Sequence, residues 1–445
     1  MNSTESQPRP GPTITPRSEH GISRSNVSEN ALKVLYRLKN AGYSAFLVGG
    51  GVRDLLLGKH PKDFDIVTDA HPEQIKDLFR NARLIGRRFR LAHVRFGRDI
   101  VEVATFRAAG DLVAVDDDRS HSESGRILRD NVYGTIEEDI WRRDFTVNAL
   151  YYNIADFSVW DFTTGMEDVR KRELRLIGDP HTRYREDPVR MLRAVRFAAK
   201  LDFHIAPETA GPLIELGAHI RDVPAARLFD EVVKLFQSGH AVRSFELLVK
   251  YELLPYLFPA TSAALEGPDG EAADRFIREG LANTDDRVAE DKPITPMFLY
   301  AVLLWPAIKA LAAELERETG ANEFEALNEA GHRIVYEQVS RTSLPKRFSV
   351  PMREMLMMQR RLATRQGVRA ARLLEHKGFR AAYDFLLLRA RCGEAETELA
   401  EWWTEVQHMD AAEQQKAFGV KRRRNGKRRR GGRRRSESRT HDAVS

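Results

Sequence analysis

The sequence predicts an α+β protein: a strand-bearing head, an all-α body and a disordered basic tail. Three observations predict it. Residues 45–70 read in turn as an apolar strand, three glycines, a short apolar helix and a second strand. From about residue 183 to residue 403, nearly every segment repeats its apolar side chains with helical period, as in Phe229, Val233 and Phe236. Residues 421–435 then carry eleven Lys/Arg and no acid, a density that cannot pack and stays solvated.

The chain is 445 residues long, enough for two or three packed domains. Its single cysteine, Cys392, excludes an internal disulfide and a thiolate-rich metal site. No uninterrupted 18-residue apolar run is present, so no membrane-spanning helix is expected. The N-terminus lacks the apolar core of a signal peptide, which fits a cytoplasmic location. The formal charge is +6, and the eleven cations of residues 421–435 leave the remainder at −5. The basic character therefore belongs to the tail. Every cation there releases a condensed counterion on meeting RNA, so Lys421, Arg422, Arg423, Arg424, Lys427, Arg428, Arg429 and Arg430 are candidate RNA-binding residues.

Residues 1–29 are rich in Ser, Pro and Thr and are expected to be disordered. Residues 31–38 begin the fold as a short amphipathic helix. Phe46, Leu47 and Val48 then end at Gly49, Gly50 and Gly51. These glycines permit positive φ and close backbone approach, and they lead into a helix N-terminus whose unpaired N–H groups favour a phosphate. Arg53 in the first turn adds a charged donor, and Gly58 closes the helix. Asp63-Phe64-Asp65 reads as part of the next strand, which sets both carboxylates on one face, about 7 Å apart, with Phe64 opposite. Such a pair is a poor packing surface but a good seat for magnesium, which takes one or two carboxylates plus substrate phosphate oxygens. The spacing from Gly51 to Gly58-Lys59 and the presence of His60 exclude a P-loop. The absence of G-x-G-x-x-G excludes a dinucleotide fingerprint.

Pro72 starts a helix that continues to Arg80, and residues 83–85, 91–96 and 100–106 read as strands. Val101-Glu102-Val103 points Glu102 away from its apolar neighbours, making it a candidate third carboxylate or a solvated edge residue. Residues 108–125 are polar and glycine-punctuated, a mobile loop. Thr135 to Glu138 is a capping box that starts the helix leading into Trp141-Arg142-Arg143-Asp144-Phe145-Thr146-Val147-Asn148-Ala149. There, Arg142 and Arg143 can reach a triphosphate, and Asp144 can bind metal or accept from a ribose hydroxyl. Residues 150–153 and 158–161 form a hairpin that ends the head. Pro188 suits the first turn of the following helix, making Asp187 its N-cap. Val189, Leu192, Val195 and Ala199 form the buried stripe of that helix, while Arg190 and Arg193 share another face. Lys346, Arg347 and the Arg-rich residues 360–372 read as a basic RNA surface or as solvated helix faces.

Gly49-Gly50-Gly51-Val52-Arg53-Asp54 followed by Asp63-Phe64-Asp65 resembles the nucleotidyltransferase head of the polymerase-beta superfamily, in the class holding bacterial poly(A) polymerases and tRNA CCA-adding enzymes. Residues 142–149 match the family motif RRDFTxNA at every fixed position. The resemblance runs from about residue 45 to residue 403. Residues 86–94, 182–197 and 379–384 look like the poly(A) polymerase branch. It implies a polymerase-beta-like head with a mixed sheet, metal ligands Asp63 and Asp65, and a catalytic Asp144. It implies nucleotide binding by Gly49, Gly50, Gly51, Arg53, Arg142, Arg143, Asn148, Glu186, Asp187, Arg190 and Arg193, with Asp187 and Arg190 presenting a protein template to the base edge. The implied domains are a disordered segment (1–29), the head (30–165), a helical nucleotide- and base-recognition region (166–260), a helical RNA-binding body (261–410) and the basic disordered tail (411–445). The implied activity is template-independent addition of AMP from ATP to RNA 3′ ends, with Mg2+ or Mn2+ as cofactor and RNA-decay proteins as partners. The alternatives are a CCA-adding enzyme of the same chemistry and an inactive RNA-binding protein on the same fold.

Overall fold

The computed structural model describes residues 11–86, 90–108 and 133–420. The head is built on β1 (Thr13–Thr15), β2 (Ala45–Val48), β3 (Asp65–Thr68), β4 (Ala82–Ile85), β5 (Leu91–Phe96), β6 (Asp99–Thr105), β7 (Leu150–Asn153) and β8 (Val159–Asp161). Among the described residues these form one sheet in the order β1-β8-β7-β2-β3-β6-β5-β4. β3 and β6 run parallel, and the other neighbouring pairs run antiparallel, so the sheet is mixed. α1 (Glu29–Asn40) is capped by the Ser28 hydroxyl and buries Ala31, Val34, Leu35 and Leu38 as one stripe. It packs with α2 (Gly50–Leu56) on β2. Phe46, Val48, Val67, Phe106 and Tyr151 gather into a core cluster. Fully burying one such side chain contributes about 1.5–3 kcal/mol, so the central strands are well anchored.

α3 (Pro72–Leu78) and α4 (Ile136–Trp141) take the expected starts, with Pro72 in the first turn and the Thr135–Glu138 capping box closed. α5 (Gly165–Lys171) follows the sheet, and then come α6 (Pro180–Glu186) and α7 (Val189–Leu201). Val189, Leu192, Val195 and Ala199 are buried, as the stripe predicts.

Four expectations are corrected. First, the described part of residues 1–29 is ordered: Thr13–Thr15 pairs with Val159–Asp161, and Ile22 and Val27 are buried. Two buried side chains and one edge pairing hold a segment whose composition is otherwise that of a disordered one. Second, β3 begins at Asp65, leaving Asp63 and Phe64 in the preceding loop, so strand alternation does not set the two carboxylates. Third, Asp187 closes α6 as its C-cap and Pro188 directly precedes α7, although the Asp187 side chain still accepts from the Val189 N–H at 3.3 Å as an N-cap would. The helical run there is broken because the residue before a proline is pushed out of helical geometry. Fourth, the helix Ala411–Ala417 lies inside the stretch read as disordered tail, started by a capping box between Asp410 and Glu413.

By its internal contacts the chain divides into two compact units, residues 1–352 and 353–445. In the first, α6 and α7 are tied to the head by side-chain bonds, and α8 (Pro207–Leu216), α9 (Ala225–Phe236) and α10 (Ala241–Lys250) follow, α9 and α10 both packing on α7. The helix Pro296–Thr319 is, by length and composition, apolar enough to cross a membrane, although charged residues interrupt its apolar run. Its Leu299 to Ile308 segment is buried against neighbouring helices, which accounts for its hydropathy. In the second unit, Trp403 is buried and donates from Nε1 to the Leu362 carbonyl at 2.8 Å. Arg360, Arg361, Arg369 and Arg372 are exposed there. The loop read at residues 108–125 lies almost wholly, and Lys421 to Arg430 wholly, outside the described residues.

Candidate active site

The glycine turn is the point where the site's elements meet. Gly49 has φ +75° and ψ −141° and is the N-cap of α2, a conformation that L side chains rarely adopt. The place a Cβ would take at Gly49 lies 3.9 Å from Asp65 Oδ2, 3.9 Å from the Asn148 carbonyl and 4.0 Å from Arg143 Nη1. A carboxylate, a carbonyl and a guanidinium therefore converge on bare backbone. A Cβ at Gly51 would lie 3.3 Å from the Asp63 carbonyl, so this glycine lets the Asp63 loop pass close over the helix start.

Asp65 sits in register with Val48 on β2 and with Glu102 on β6, which places Glu102 beside it on the same face of the sheet. Burial raises the Asp65 carboxyl above its ordinary range, Glu102 and Asp63 add to the rise, and Arg143 opposes it. Crowded carboxylates of this kind gain from a divalent cation. Among the described residues, no three His, Cys, Asp or Glu side chains already converge as a ligand set. Asp63 and Asp65 supply two hard oxygen donors beside a phosphate-sized turn, and that donor chemistry fits magnesium. Glu102 lies 3.1 Å from His93 Nε2, its cross-strand neighbour on β5.

Arg53 does not face solvent. It is 2% exposed, donates from Nε and Nη2 to Asp54 Oδ1 at 3.0 and 2.7 Å, and donates from Nη1 to Asn148 Oδ1. Asn148 in turn donates to Asp144 Oδ1 at 3.5 Å. Asp144 accepts from the Phe145 N–H at 2.9 Å and from Arg193 Nε at 2.8 Å, with Arg193 Nη2 closing the ion pair. Burial alone would raise the Asp144 carboxyl, but Arg193 and these hydrogen bonds hold it below the usual range. Arg53, Asn148, Asp144 and Arg193 thus form one polar chain from α2 through the Phe145 turn to α7. The Arg53 guanidinium is held by Asp54 and Asn148 at the start of α2, and Asp144 is oriented by Arg193.

Arg143 is held by Asp139 at 2.9 Å and by the Tyr151 hydroxyl at 2.8 Å, which leaves Nη1 beside Gly49. Burial disfavours its charge, but Tyr151 and Asp139 outweigh that and keep the guanidinium firmly protonated. Arg142 donates to the Ala108 carbonyl at 3.1 Å. Arg183 of α6 donates to the Arg142 and Arg143 carbonyls, fixing this segment from outside the head. Sequence reading missed Asp139, Tyr151 and Arg183. Asp139 was reachable from its i,i+4 spacing to Arg143, whereas Tyr151 and Arg183 depend on tertiary packing.

Asp187 and Arg190 stand at the α6–α7 junction, each with a protein partner. Asp187 Oδ2 accepts from Arg227 of α9 at 2.7 Å, and its Oδ1 accepts from the Val189 N–H at 3.3 Å. Arg190 donates to Glu186 at 2.8 Å and to the Arg183 carbonyl at 2.7 Å.

Residues 45–175 match the family model "Poly A polymerase head domain", residues 202–265 match "Probable RNA and SrmB- binding site of polymerase A", and residues 319–437 match "Polymerase A arginine-rich C-terminus". The chain is similar to poly(A) polymerase I of Salmonella typhimurium, 50% identical over 412 residues, covering 91% of this chain and 88% of the relative. Its similarity to the CCA-adding enzyme of Listeria innocua is 35% over 233 residues, 52% of this chain and 57% of the relative. A crystal structure of tRNA nucleotidyltransferase complexed with a primer tRNA and an incoming ATP analog shares the fold at TM-score 0.57 and 22% identity, covering 84% of this chain and 98% of that one.

Proposed function

The chain belongs to the bacterial poly(A) polymerase family, and from that membership we infer that it extends RNA 3′ ends with AMP from ATP, without a template, at the glycine turn of its head. The observation that carries the site is the convergence of Asp65, Arg143 and the Asn148 carbonyl on Gly49. In the transfer, the RNA 3′-oxygen forms a bond to the α-phosphorus, the bond to the bridging oxygen of the β-phosphate breaks, and pyrophosphate leaves.

Asp63 and Asp65 would hold divalent ions, of which magnesium best suits carboxylate and phosphate oxygens, with manganese as the alternative. The chemistry supplied there is a lowered pKa of the 3′-hydroxyl and neutralisation of the leaving pyrophosphate. The backbone N–H groups of Gly50 and Gly51 and the Arg143 guanidinium orient the phosphates. Asp144, fixed by Arg193, accepts from a ribose hydroxyl. Asp187 and Arg190 read the base edge once they exchange their protein partners for adenine. Residues 166–260 serve nucleotide recognition, the helices beyond them serve RNA binding, and the setting is the cytoplasm.

Asp63→Asn and Asp65→Asn test the site. Each is expected to abolish AMP incorporation without lowering thermal stability, because a ligand is lost and no packing is. Wild-type turnover in either variant would remove these carboxylates from the reaction.

A further inference from the structure

We propose that Arg196 and Lys200 of α7, with Lys59 and Lys62 from the loop leading to Asp63, hold the backbone phosphates of the RNA primer behind its 3′ end. This rests on the reading of the head as the adenylyl-transfer site and adds to it the path of the primer. Three guanidiniums surround the single ring of Phe197: Arg196 at 4.6 Å, Arg193 at 5.3 Å and Arg53 at 5.9 Å from its centroid. Arg193 is neutralised by Asp144 and Arg53 by Asp54. Arg196 has no hydrogen bond or ion pair among the described residues, and its Nε is buried without a partner. Arg196 is half-buried, with Glu231 the acid that acts on it most, and a buried donor without an acceptor is costly, so an anion supplied from outside relieves it.

Lys200 continues the row. Arg193, Arg196 and Lys200 follow the i, i+3, i+7 spacing of one helix face and span about 10 Å along the axis. Lys200 feels the charges of Arg53, Arg196 and Lys62, with Asp54 the acid among these neighbours. Burial and these like charges lower the pKa of Lys200, and burial with Arg193 and Arg53 lowers that of Arg196 against the opposing pull of Glu231 and Asp144. Lys59 and Lys62 are exposed. The row starts at the Asp144 end, beside the glycine turn, and runs away from it. A nucleotide's phosphates belong at the turn itself, whereas a line of cations leading off from it suits a strand whose phosphates repeat along its length. It also stands out in a chain that carries −5 apart from residues 421–435.

The test is equilibrium binding of a short oligoadenylate to the full chain, without ATP or divalent ion, as a function of salt. Two variants are compared with wild type: Arg196→Gln with Lys200→Gln, and the exposed pair Lys59→Gln with Lys62→Gln, which lies outside the packed core. Each pair is expected to weaken binding roughly tenfold at low salt and to make the slope of log K against log salt shallower by about 1.4, some 0.7 per lost phosphate contact. In turnover, KM for the primer rises while KM for ATP stays. Unchanged affinity and slope in both variants would overturn the proposal, and so would a raised KM for ATP with primer binding intact, which would give the cluster to the nucleotide. Binding needs no catalysis. A chain that binds RNA through these residues yet never incorporates AMP would therefore contradict the proposed function and leave the primer path standing.

Discussion

At Asp65, the chemistry of one side chain links the fold to the reaction. Its carboxyl is raised above the ordinary range by burial, by Glu102 and by Asp63, with Arg143 pulling the other way. A raised carboxyl contributes stability when protonated, below its ordinary pKa, and that contribution is lost as pH rises through the raised value. A divalent ion competes with the proton for the same oxygens. We therefore expect magnesium affinity, read by calorimetry, to fall as pH drops through the raised Asp65 range, and Asp65→Asn to flatten that dependence. A wild-type affinity independent of pH would contradict the assignment. Asp144 behaves in the opposite sense: its depressed pKa gives stability that is present above the ordinary carboxylate range and is lost as pH falls through the depressed value. At this scale the sequence was informative about residue type and less so about partners. Gly49, Asp65 and Arg143, which the fold brings together, were picked out by spacing and motif. The burial of Arg53 was not, because only the fold brings Asn148 to its guanidinium.

The two helices α6 and α7 show what periodicity can and cannot reveal. The apolar stripe of Val189, Leu192, Val195 and Ala199 was legible because period alone decides which face is buried. The break at Asp187-Pro188 was read as a cap, since Pro suits a helix start and Asp suits an N-cap equally well from local rules. The strand containing Asp63 failed for a related reason, because alternation cannot tell the first residue of a strand from the loop before it. The base-reading proposal belongs here. Losing a cap costs about 1 kcal/mol of stability and leaves nucleotide choice alone. Losing a base contact costs about 1–3 kcal/mol of discrimination. Asp187→Ala and Arg190→Ala are expected to collapse the ATP-to-CTP ratio of kcat/KM with the fold retained. A fall in thermal stability with the ratio intact would return both residues to a purely structural role, alongside Arg227 and Glu186.

For the whole molecule, charge is divided between a fold near −5 and a run of eleven cations at residues 421–435. Deleting residues 421–445 should weaken RNA binding without removing catalysis at saturating RNA. If half of the cations contact phosphates, the salt slope should change by roughly three to four log units per log salt. Unchanged affinity and slope would reduce the run to a solubility feature. The ties of α6 and α7 to the head, Arg193 to Asp144 and Arg183 to two carbonyls, were not legible, because they join residues more than 39 positions apart. The mixed sheet followed by helices was legible, because each element carries its own period. The account's central claim is that this chain itself selects and adds adenylate. The most direct measurement offers ATP and CTP singly to the purified protein with a generic RNA and with a tRNA lacking its CCA end. The account predicts repeated AMP addition to both RNAs and little CMP addition to either. CMP addition confined to the tRNA, followed by a single AMP, would contradict it.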